Sequence, residues 1–134
     1  MNVDPITYED LKHLPEEAIR FREERYYRVA IKTRENWGES SKRSIRANPL
    51  PNQGFPPFLN VACGTNLRKK YPVGSVFIIW AKLSYDKRYD SYYLYSYQDW
   101  ETQLVDEKTA KGLIEQKKIG ITNYVPKSDD IPRA

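Results

Sequence analysis

The run VFIIWAKL, residues 76–83, constrains the fold more than any other stretch of the chain. Phe77, Ile79, Ala81 and Leu83 alternate with Val76, Ile78 and Trp80, so an extended chain here is apolar on both sides. A strand that must be covered on both faces is a central strand. The longest unbroken apolar run, Val76–Ala81, is six residues, against the roughly 20 a membrane-spanning helix needs.

The flanks of that strand are punctuated by turn chemistry. Pro72 and Gly74 in YPVGS predict a tight turn ahead of it, and DKRYD predicts a hairpin after it. The returning segment SYYLYSYQDW sets Tyr93, Tyr95 and Tyr97 on one face and Leu94 on the other. Upstream, RYYRVAIKT alternates Tyr27, Val29 and Ile31 with Arg28, Ala30 and Lys32, a half-buried strand pattern. FLNVACG reads as a short strand ended by Gly64. Between these lies RENWGESSKRSIRANPLPNQGFPP, without sustained periodicity, which predicts a long loop over 34–57.

Helical periodicity is confined to the two ends. Thr7 and Asp10 resemble a capping box, and Leu11, Leu14, Ala18, Ile19 and Phe21 supply apolar positions, predicting short helices within 1–24. Leu113 and Ile114 anchor a predicted helix over 106–120, with Gly120 as its stop and 121–134 as a polar tail. The expected fold is a single α+β domain over 1–134: a small curved antiparallel sheet, its closure into a barrel left open, between N-terminal helices and a C-terminal helix. A chain of 134 residues has the size of one domain.

The lone cysteine, Cys63, permits no disulfide within the chain. Together with acidic residues at 4, 9, 10, 16 and 17, unlike the basic start of a secretory signal, it leads to an expected cytoplasmic location. Charge is segregated. Residues 1–24 carry three cations and seven anions, net −4; residues 25–88 carry thirteen cations and three anions, net +10; residues 89–134 carry six cations and eight anions, net −2. Such asymmetry bears on partners rather than on fold.

Catalytic constellations are sparse. His13 is the single histidine, Cys63 stands without an activating neighbour, and neither zinc spacing nor a phosphate-binding glycine loop occurs. No cofactor is expected. Asp86, Asp90, Asp99, Glu101 and Asp106 near the hairpin keep a metal-dependent nuclease open as a third reading.

The basic middle favours binding. Arg34, Lys42, Arg43 and Arg46 fall in the long loop, and Arg68, Lys69 and Lys70 precede the central strand, with Trp37, Tyr71 and eleven tyrosines in all distributed along the chain. Cations for phosphates and flat rings for bases are the parts of a nucleic-acid groove. The predicted DNA- or RNA-binding positions are Arg43, Arg46, Arg68, Lys69 and Lys70 for phosphate, and Trp37, Tyr71 and Tyr93 for stacking. The alternative is a protein–protein module that meets an acidic partner, since Tyr, Trp and Arg also make interface hot spots. A packed sheet face explains alternating tyrosines equally well. No membrane partner is expected, and oligomeric state is not encoded in any motif.

Overall fold

The structure, a computed structural model, describes residues 25–35, 45–56, 59–63, 70–88, 91–97, 100–126 and 131–132. Within them the chain forms β1 (Tyr26–Glu35), β2 (Ile45–Pro49), β3 (Val61–Ala62), β4 (Val76–Asp86), β5 (Ser91–Tyr95), β6 (Thr102–Val105), helix α1 (Glu107–Glu115) and β7 (Gly120–Val125). The strands make one open seven-stranded sheet in the order β2-β1-β4-β5-β3, with β6 added to β4 and β7 added to β1. Every ladder is antiparallel except β3–β5, which is parallel, so the sheet is mixed.

The run that is apolar on both faces is central. β4 pairs with β1 from Val76 to Lys82, and its other edge is shared by β6, from Val76 to Ile79, and β5, from Lys82 to Asp86. One face of β1 and β4 presents Tyr27, Val29, Ile31, Phe77, Ile79, Ala81 and Leu83 to the main core, which Leu94, Phe55, Leu59, Val61, Cys63 and Ile121 complete. Each large side chain fully buried there contributes roughly 1.5–3 kcal/mol relative to exposure. On the opposite face, Ala30, Val76 and Ile78 pack against Ala110 and Ile114 of α1, with Leu50 and Ile119. Farther along that face, Trp80 clusters with Trp100 and Ile131, flanked by Tyr26 and Val125.

This architecture corrects the expected α+β fold. Strand accounts for 53% of the described residues and helix for 12%. The predicted N-terminal helices lie outside the described residues. The helix predicted over 106–120 is shorter and is not terminal: Asp106 is its N-cap, it ends at Glu115, and β7 follows. Gly120 does not stop the helix but opens β7 at φ +105°, where a Cβ would lie 2.9 Å from the Gln53 carbonyl oxygen. The loop expected over 34–57 holds β2, which pairs with β1 from Ile31↔Pro49 to Glu35↔Ile45. A strand containing Arg46, Asn48 and Pro49 carries no clean alternation, and β1 rather than its own pattern makes it extend.

Gln53 joins these late-added strands. Where β2 and β7 leave a gap along the edge of β1, the buried Gln53 amide fills it. Ala30 N–H donates to Gln53 Oε1 at 2.8 Å, and Gln53 Nε2 donates to the carbonyls of Ala30 at 2.8 Å and Leu50 at 2.9 Å. The Gln53 carbonyl then accepts from Ile121 N–H at 2.8 Å, fastening β7.

Candidate nucleic-acid interface

Four of the eight predicted site residues, Trp37, Arg43, Arg68 and Lys69, lie outside the described residues, as does Lys42. The other four fall into two groups. Arg46 sits directly across from Arg34 in the β1–β2 ladder, on the face that also carries Lys32 and Asn48. The Arg34 guanidinium is held by Asn48 Oδ1 and by the Glu35 carbonyl at 3.0 Å. Two guanidinium groups thus share this corner of the sheet. Lys32 is partly neutralised, its Nζ 2.7 Å from Glu107 Oε1.

The second basic segment reaches the same end of the sheet. Residues 72–75 turn through a 3.2 Å bond from Ser75 N–H to the Pro72 carbonyl, and Gly74 N–H donates to the Thr33 carbonyl at 3.1 Å. Lys70 and Tyr71 at the start of that turn therefore lie at the end of β1 that bears Arg34. Lys70 is exposed, and its Nζ is 5.8 Å from the Tyr71 ring centroid. Tyr71 itself is half-buried edge-on against Phe77 at 5.2 Å, so much of its ring is committed to the core.

Tyr93 does not join them. It pairs with Ser84, eight residues along β4 from Val76, or roughly 26 Å at about 3.3 Å per residue. There it belongs to a different cluster. Cross-strand partners share a face, and the registers Tyr26↔Lys82 and Lys82↔Tyr95 align three side chains in one row over β1, β4 and β5. Lys82 Nζ lies 5.7 Å from the Tyr95 ring centroid, and Tyr93 stands beside that row on the same face. Tyr97, 42% exposed, meets Trp100 at 6.1 Å, and Trp100 meets Tyr26 edge-on at 5.5 Å. Among the described residues the ion pairs engage Arg28, Lys32, Arg88 and Lys111, and not Lys82.

Lys82, Tyr95 and Tyr26 were absent from the predicted set, yet β4 carries a signal for them. Its second face runs Val76, Ile78, Trp80 and then turns polar with Lys82, Ser84 and Asp86. The switch marks where packing against α1 and the Trp80 cluster ends. Tyr92, by contrast, occupies the opposite face with Tyr85, ring centroids 5.0 Å apart, against the main core.

The hairpin carboxylates are occupied individually. Asp86 accepts from Arg88 N–H at 2.9 Å and from its guanidinium at 3.1 and 3.3 Å, and the Arg88 side-chain bonds hold its carboxyl below the usual range. Glu101 pairs with Arg28 at 3.1 Å. Asp106 caps α1, accepting from Thr109 N–H at 2.7 Å and Thr109 Oγ1 at 2.9 Å, and the backbone bond above all lowers its pKa. Asp90 and Asp99 lie outside the described residues, as does His13. Among the described residues no group of three or more His, Cys, Asp or Glu side chains is arranged to hold a metal ion. Cys63 is buried in the main core. No helix among the described residues is long and apolar enough to cross a membrane.

The chain matches no protein-family model and has no significant match among curated proteins or solved structures.

Proposed function

We propose that this domain binds nucleic acid through the Tyr26–Lys82–Tyr95 row and the basic corner at Arg34, Arg46 and Lys70, without covalent chemistry. The row carries the reading: a half-exposed ammonium outside the ion pairs of its described neighbours stands between two tyrosines on a sheet face. A lysine there attracts a phosphate, and the adjacent rings offer flat apolar area to a base. The basic corner adds charge of the same sign at the far end of β1, which lengthens the footprint and steepens its response to salt. The +10 balance of residues 25–88 supplies the long-range attraction.

Titrating fluorescently labelled DNA and RNA oligonucleotides with the protein, at about 50 and about 200 mM salt, tests this. Affinity should fall steeply between the two salts. Lys82→Glu and Lys70→Glu should each weaken binding and flatten the salt dependence. Absence of binding to every oligonucleotide at the lower salt overturns the reading, and an acidic protein partner then takes its place.

A further inference from the structure

We infer that the ligand of this surface is a single strand, DNA or RNA, lying along β5 with its bases on Tyr93, Tyr95 and Tyr97. This rests on the nucleic-acid reading and narrows it. Tyr93 and Tyr95 lie on the same face as Lys82 and Ser84, while Leu94 between them is fully buried on the other face. Tyr97 continues the alternation one step beyond the strand and is 42% exposed. The sheet therefore offers rings at every second residue along one line, rather than a groove or a projecting helix.

A ring platform selects the state of the bases. In a duplex the base faces are stacked on one another and closed to side chains, which leaves only phosphates and groove edges. An unpaired strand exposes those faces, and stacking on tyrosine replaces the stacking it has lost. The spacing agrees. Alternate residues on an antiparallel strand are about 6.8 Å apart, twice the base step of a stacked strand at about 3.4 Å, so one base per ring suits a stretched, unstacked chain. Lys82, opposite Tyr95 and beside Tyr26, is placed for the phosphate between two such bases.

The rest of the face is poorly suited to stacking. Toward α1, Ala30, Val76 and Ile78 are buried, and Arg28 is bound to Glu101 at 3.1 Å and to Gln103 at 2.6 Å. Stacking is thereby confined to the β5 side.

Anisotropy titrations with a labelled 12-nucleotide strand and its duplex, each as DNA and as RNA, decide the point at low salt. The single strand should bind at least tenfold more tightly than its duplex. Tyr95→Leu should weaken it by roughly 5- to 150-fold, the range for one stacked base, while Tyr95→Phe should retain affinity. Tyr93→Leu and Lys82→Gln are independent variants should Tyr95→Leu fail to fold, and each should weaken the single strand more than the duplex. Equal or tighter duplex binding, or single-strand affinity indifferent to these substitutions, overturns this inference while leaving nucleic-acid binding standing. Failure of all four probes to bind removes both. The DNA and RNA arms identify which sugar the surface accepts.

Discussion

Gln53 is the residue on which the periphery of the sheet depends. It is 3% exposed, and its amide satisfies the N–H of Ala30 and the carbonyl of Leu50 while its own carbonyl receives Ile121. Replacing it with leucine preserves much of the volume and removes every side-chain bond. The Ala30 N–H and Leu50 carbonyl would then be buried without partners, each at about 1–3 kcal/mol. Gln53→Leu is therefore expected to lower unfolding free energy by about 2–5 kcal/mol, measured by urea denaturation with an unchanged m-value. A loss smaller than about 0.5 kcal/mol, the scale of an indifferent surface change, would mean these backbone groups find other partners. Nothing in NPLPNQGFPP marks this glutamine, because two of its three partners, Ala30 and Ile121, are 23 and 68 residues away in the chain.

At the level of elements, the end of α1 shows why one boundary was legible and another was not. The expected span begins at Asp106, which in the structure caps the helix through Thr109. The C-terminus was sought at Gly120, since glycine most often takes the left-handed position past a helix. The chain turns three residues earlier, on Lys117 at φ 56°, with Lys117 N–H donating to the Ile114 carbonyl and Lys118 N–H to the Leu113 carbonyl, both at 3.0 Å. That is the Schellman pattern built on a residue with a Cβ. A left-handed conformation strains such a residue, and the greater unfolded-state freedom of glycine offsets only part of the relief. Lys117→Gly should therefore stabilise the protein by about 0.5–1 kcal/mol, read as a raised denaturation midpoint. A lowered midpoint would show that the lysine side chain contributes more than its backbone costs. β2 and β7 were missed for a related reason: their extension follows from pairing with β1, and β1's partners are set by topology.

Across the whole molecule, local alternation revealed β1, β4 and the β4–β5 hairpin, because each carries its pattern within a few residues. The placement of cations relative to rings was not legible. The segments of Arg46 and Lys70 lie at one end of the sheet through the bonds of Thr33 to the 72–75 turn, while Tyr93 lies at the other end of β4. Charge also joins the layers, and there it makes stability depend on pH. Glu107 at the start of α1 accepts from Lys32 of β1 at 2.7 Å and pairs with Lys111 at 2.9 Å. The Lys32 bond first, and Lys111 second, bring its pKa down to about 2 from an ordinary value of 4.5. A carboxylate whose pKa is lower folded than unfolded stabilises the fold fully above the unfolded value and loses that contribution as pH falls through the folded one. The window is therefore between 4.5 and about 2. Glu107 is half-exposed, so water and salt screen these contacts and the effect belongs to low ionic strength. Thermal midpoints of the native protein should fall more steeply across that window than those of Glu107→Gln, and the two curves should converge toward its acid end. Added salt should shrink the gap between them above pH 4.5. Parallel curves would mean that the tie between helix and sheet carries no proton-linked stability, leaving the apolar contacts of Ala110 and Ile114 with Ala30, Val76 and Ile78 to hold α1 in place.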